Sequence, residues 1–201
     1  MKIILLSILL IFAIGIICEQ SVFGNEEGDC FEGYNDNCKE SKYVIWDENR
    51  PLTWDDFQGV PGSSCGIGTF PYYVSPTACT KTQTSWQVLV KGDERYGCEI
   101  IKLDVAVLFG KFNSWVDLDD TEISYVDVLK HEQGHFDIAQ IHAQKFKTTY
   151  EGKTFACLSG VQDMVDSEIN WNEIFKQEKA MHKAYDKETG TGIQKEEQAE
   201  W

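Results

Sequence analysis

The chain opens on a run of apolar positions, MKIILLSILLIFAIGIIC, in which one lysine precedes hydrophobic residues broken only by Ser7 and Gly15. This pattern predicts a secretory leader over residues 1–24, ending at the small residue Gly24, followed by one domain over 25–201. The stretch from Ile3 to Ile17 is shorter than the roughly 20 residues of a membrane span, which disfavours an uncleaved anchor. Lipid attachment at Cys18 is disfavoured too, because Ile17 is bulky where such a site takes a small residue. Residues 25–42 show no hydrophobic period and predict a loop pinned by Cys30 and Cys38. Strand composition follows at 42–46, and the segment ENRPLTWDDFQGVPG (48–62) reads as a structured loop around aromatic anchors.

At 84–92, Trp86, Val88 and Val90 alternate with Gln87, Leu89 and Lys91, which predicts a strand with one wetter face. The run at 98–109 is nearly all apolar after Lys102 and predicts a more central strand. From Asp119 to Tyr150 there is no proline, the start is acidic, and Gly152 follows, which together predict one long helix. A second helical stretch runs from about Gln162 to Thr189, with Val165, Ile169, Ile174, Phe175 and Met181 on one side. Strands followed by helices predict an α+β fold, an antiparallel sheet succeeded by two helices. An extended ligand could add to the Thr84–Lys91 strand.

Charge and cysteine content narrow the class. The formal net charge of −15 over 201 residues repels nucleic-acid phosphates and anionic lipid, so neither is expected as a partner. Beyond Cys18, six cysteines remain, Cys30, Cys38, Cys65, Cys79, Cys98 and Cys157. An even set in an exported chain predicts disulfides, and without a CxxC pair a thiolate metal site is not expected. The expected location is extracellular.

Inside the first long helix lies His131-Glu132-Gln133-Gly134-His135, the HExxH pattern. Histidines four apart project from one helix face, so their imidazoles can converge on one zinc ion. Glu132 can then act as general base toward a water in the ion's open position. Gly134 costs about 1 kcal/mol relative to alanine in mid-helix, which calls either for room beside the metal for substrate or a closely packed strand, or for simple tolerance. A catalytic zinc takes three protein ligands. His142 would stand roughly 10 Å along the axis from His135 if the helix continues, which points to an outer or surface role. On the second helix, Glu178, His182 and Asp186 are spaced by four and share a face, making Asp186 and His182 the candidates for third ligand. Tyr185 suits either an oxyanion contact or the core.

These residues resemble the DUF922 family of predicted secreted or periplasmic zinc-dependent proteases. The matching pieces are Leu52-Thr53-Trp54-Asp55-Asp56-Phe57-Gln58-Gly59, then His131 through Ile138 (HEQGHFDI), and Tyr185-Asp186-Lys187-Glu188-Thr189 with Gln198 and Trp201. The resemblance implies zinc-dependent peptidase chemistry, with one zinc ion, at His131, Glu132 and His135, a zincin-like fold, and a peptide or protein substrate. Asp137, within the shared motif, could orient a neighbouring group. The family tail carries a histidine where this chain has Thr191. Three outcomes stay open: Asp186 or His182 completes the site, the metal is held weakly, or the chain is an impaired, disulfide-stapled binding protein. A metal hydrolase acting on another amide or an ester would use the same residues. Oligomeric state is not legible.

Overall fold

A computed structural model describes residues 20–24, 42–63, 78–93, 97–117, 124–155, 171–190 and 194–201. In chain order the elements are β1 (Gln20–Gly24), β2 (Tyr43–Ile45), β3 (Ala78–Cys79), β4 (Thr82–Asp93), β5 (Gly97–Gly110), β6 (Trp115–Val116), α1 (Tyr125–Tyr150), β7 (Thr154–Phe155), α2 (Trp171–Thr189) and α3 (Lys195–Glu200). The main sheet runs β1-β4-β5-β2 with β7 also on β5, and β3 pairs with β6 in a small second sheet. Every pairing is antiparallel, giving the α+β architecture expected. The last five residues of the expected leader form β1 and pair with Trp86–Val90. In the full chain these residues occupy the edge of β4 at which an extended ligand could add. The rest of the expected leader, the Cys30–Cys38 loop and Thr191 lie outside the described residues.

The alternation in β4 works as its sequence predicts: Trp86, Val88 and Val90 are buried while Lys91 is exposed. In β5 the period is broken on purpose. Val90 pairs with Ile100 but Leu89 pairs with Lys102, a bulge that leaves Ile101 over. Ile100 and Leu103, which strict alternation would put on opposite faces, are both fully buried, and Lys102 points outward.

Helix α1 lies along this face. Phe146 and Tyr150 join Trp86, Val88, Val90, Ile100 and Leu103, while Phe136, Ala139 and Ala143 pack with Val44, Leu52, Phe57, Val107 and Phe109. Those helix positions fall on one stripe at helical spacing. Gly152, at φ +78°, turns the chain out of the helix, and its N–H donates to the Ile100 carbonyl. The helix end is thereby stitched to the sheet. Cys79 and Cys98 are both disulfide-bonded; the other cysteines lie outside the described residues. No described helix is long and apolar enough to cross a membrane.

The loop before β3 is bolted to α1 by polar side chains. Gln133 Oε1 accepts from the Leu52 N–H at 2.7 Å, and Gln133 Nε2 and Trp46 Nε1 both donate to Asp137 Oδ1, at 2.8 and 2.7 Å. Within the loop, buried Asp56 accepts from the Thr53 N–H and hydroxyl and takes a two-pronged contact from Arg50. Burial alone would raise the Asp56 carboxyl, but the hydrogen bonds from Arg50 and Thr53 outweigh it and hold the group below its ordinary 3.8. Its stabilising effect is thus present above that value and is lost as pH falls through the lowered folded-state pKa. Asp56→Asn should cost about 2 kcal/mol at neutral pH, read by urea unfolding. The deficit relative to wild type should shrink at pH 3; an equal deficit at both pH values would refute this account.

Candidate metal centre

α1 and α2 pack antiparallel, and the seam between them is lined by polar residues. His131, His135 and His142 recur at 4 and 7 positions along α1, so they share one face, next to the stripe that meets the sheet. Thr189, Asp186, His182 and Glu178 recur along α2 in the reverse direction. The two rows meet: His131 lies against Thr189 and Asp186, and His135 against Asp186 and His182.

At the centre, Asp186 Oδ1 stands 3.2 Å from His131 Nε2 and 3.0 Å from His135 Nε2. His131, His135 and Asp186 offer ligand atoms that all lie within 4.8 Å of one another. Each is less than a tenth exposed. Donors roughly 2.0–2.1 Å from a tetrahedral zinc stand about 3.3 Å apart, so the set needs only small adjustment to take such an ion.

The hydrogen-bond roles around the histidines decide what the centre requires. Thr189 Oγ1 lies 2.7 Å from the Tyr185 carbonyl, which can only accept, so the hydroxyl proton is spent there. The same oxygen lies 3.1 Å from His131 Nδ1 and must accept from it. His131 therefore carries a proton on Nδ1, and in its neutral form turns an Nε2 lone pair toward the Asp186 carboxylate. Two lone pairs at that separation repel unless a cation sits between them. The arrangement calls for a proton or a metal ion. In the metal-free protein, burial opposes charging His135, but hydrogen bonding to Asp186 and the nearby Glu132 charge outweigh it and raise its pKa. Burial would likewise raise Asp186, yet its bonds to His131 and His135 hold it far below the ordinary carboxylate range.

Glu132, one position beyond His131, is 5 % exposed, and its Oε2 has no hydrogen-bond partner among the described residues. A buried carboxylate oxygen left open is costly and marks a place where a ligand or water completes the shell. Its backbone carbonyl accepts from Thr80 Oγ1 at 3.4 Å, tying the β3–β4 corner to the helix at this point.

Other expectations find definite places. Tyr185 stacks on His131 (4.7 Å between centroids, 9°) and meets His135 and Trp201 edge-on. It is a buried wall of the centre. Gly134 is explained by it, since a Cβ there would overlap the Tyr185 phenol. The close packing is with a side chain of α2, not with a strand. On the far side of Tyr185 lies a cleft of about 420 Å³ bordered by Ile138, Ile141, Met181 and Trp201. Asp137 touches neither histidine; it holds Gln133 and Trp46, and so fixes the 46–59 loop to the helix. His182 bonds to the back of His135 rather than joining the ligand group, Nδ1 to Nδ1 at 2.9 Å.

His142 lies outside the ligand group and is not at the surface: it is 5 % exposed, with neither ring nitrogen hydrogen-bonded among the described residues. Burial keeps its pKa below the ordinary 6.5, outweighing the opposite pull of Glu178. A base held neutral contributes fully only above its unfolded pKa, so stability falls as pH drops below 6.5. His142→Phe removes the unpartnered nitrogens, whose burial costs about 1–3 kcal/mol. Denaturant unfolding should find the variant as stable as wild type at neutral pH or more so, and relatively more so at pH 5. A loss above about 2 kcal/mol would show that the ring has a partner after all.

Thr189 and the Gln133–Trp46 bolt were not anticipated. Thr189 was within reach of a helical projection, three residues beyond Asp186 on the same face. Leu52, which donates to Gln133, lies 81 residues away in sequence, and Trp46, which shares Asp137 with Gln133, lies 91 residues from that aspartate, so neither leaves a local signal. No curated protein and no solved structure shows significant similarity to the chain. Residues 113–192, which hold β6, α1, β7 and α2, match the family model DUF922, described as a bacterial protein of unknown function.

Proposed function

We propose that this chain is a secreted zinc-dependent hydrolase that cleaves peptide bonds, with His131, His135 and Asp186 as metal ligands and Glu132 as general base. The observation that carries the reading is the centre itself. Two imidazoles whose Nδ1 atoms are engaged elsewhere converge with a carboxylate, beside a buried glutamate with an open oxygen. A two-nitrogen, one-oxygen set suits zinc with a position left for solvent or substrate. Zinc held there would polarise a carbonyl and bring the pKa of a water to about 7.

The residues divide the remaining work. Glu132 Oε2 accepts the proton of the attacking water and later returns it to the leaving amine. Asp186 offsets the cation's charge and aligns both Nε2 atoms. Tyr185, Phe136 and the sheet exclude bulk water from the back of the centre, which strengthens every charge interaction inside it. An HExxH helix laid on an antiparallel sheet, with its third ligand supplied by a later helix, supports a zincin-like reading of the fold. The leader-like start and the disulfides of Cys79 and Cys98 support export. With Asp186 in the third place, no ligand is needed at Thr191, and the impaired binding protein is not favoured.

The test is elemental analysis of oxidised wild-type protein beside a His131→Ala, His135→Ala variant, followed by a peptide-substrate screen. We expect about one zinc per chain, absent from the variant, and metal-dependent cleavage. Folded wild type without zinc would overturn the metal assignment; stoichiometric zinc with hydrolysis of esters or non-peptide amides alone would overturn the peptide assignment.

A further inference from the structure

His182 and Glu178 form a second row behind the centre, and nothing in the metal reading alone requires them. His182 Nδ1 lies 2.9 Å from His135 Nδ1, in a pair buried on both sides. Only one proton fits between two nitrogens at that distance, and which ring owns it decides what His135 can do. With the proton on His135 Nδ1, its Nε2 lone pair faces Asp186 and is free for a cation. With the proton on His182 Nδ1, a neutral His135 must carry its own on Nε2, which closes the ligand position.

The next group along settles the choice. Among the described residues His182 Nε2 has no hydrogen-bond partner, and Glu178 Oε1 lies 3.6 Å from it. A carboxylate there favours a proton on His182 Nε2. In neutral His182 that leaves Nδ1 as an acceptor and assigns the shared proton to His135. We infer that His182 and Glu178 are positioning residues: a Glu178–His182 relay on α2 sets the tautomer of His135 and so presents its Nε2 to the metal. Thr189 does the same for His131. One helix then supplies both a ligand, Asp186, and the outer partners that orient the two histidines of the other helix. Outer partners of metal-bound histidines are ordinarily worth 10–100-fold in affinity.

The inference rests on His131, His135 and Asp186 binding zinc, and the test separates the two. Zinc affinity is measured by competition with a chromophoric chelator for wild type, His182→Leu, His182→Asn and Glu178→Gln, with circular dichroism of each metal-free protein as the check on folding. Leucine removes the acceptor; asparagine restores an acceptor oxygen near the place of Nδ1. We expect about 10–100-fold weaker binding for His182→Leu, recovery of most of it in His182→Asn, and a smaller loss for Glu178→Gln. In ¹⁵N-histidine spectra of zinc-loaded wild type, His135 should be protonated on Nδ1, which remains readable if His182→Leu fails to fold. Folded His182→Leu binding zinc as tightly as wild type, or zinc-loaded wild type with His135 protonated on Nε2, would overturn the relay alone. Wild type that binds no zinc would overturn the metal reading and the relay with it.

Discussion

Glu132→Gln should leave zinc content and fold unchanged while lowering turnover of a peptide substrate by about 10²–10⁴, the usual contribution of a positioned general base. The amide has the carboxylate's shape, and Glu132 is buried beside the histidines without contributing a ligand atom to their group. The substitution therefore removes proton acceptance and little else. The open Oε2 makes this sharper, because no described hydrogen bond to that oxygen is broken. The loss should appear in kcat, since the proton moves in the transition state rather than in substrate binding. Zinc by elemental analysis and steady-state kinetics on the same preparation decide the matter. Turnover within about tenfold of wild type would take the role of base away from Glu132.

Asp186→Asn should have the largest effect on metal binding of any single change outside the two histidines. Asp186 Oδ1 lies 3.2 Å from His131 Nε2 and 3.0 Å from His135 Nε2, and an amide in its place supplies neither the charge nor a reliable second acceptor. The expected loss of zinc affinity exceeds the roughly 100-fold that marks the upper range for an outer partner. Activity at limiting zinc should vanish with it. Chelator competition gives the number directly, and a loss below about tenfold would mean that another group is the third ligand. His182→Asn is the control, since it alters a neighbour on the same face without touching the Asp186 contacts.

What could be read before any coordinates were local in origin. Side-chain alternation marks β4, because successive residues on a strand point to opposite faces. The pairing of His131 with His135 follows from helical spacing alone. The same reasoning stopped at the third ligand, because Glu178, His182 and Asp186 lie on one face at equal steps and no sequence rule ranks them. The axial register between α1 and α2 ranks them. It sets Asp186 between the two front nitrogens, His182 behind His135, and Glu178 one turn further. Gly134 and Asp137 show the same limit: each sits in the HExxH helix, yet one is explained by Tyr185 and the other by Trp46. Periodicity along one segment is written in that segment, so the sequence by itself determined the long strands, the long helices and the two-histidine face. Which residues meet across elements depends on how far each slides and turns against its neighbour. That is set by packing of the whole core, and only the tertiary structure decided it.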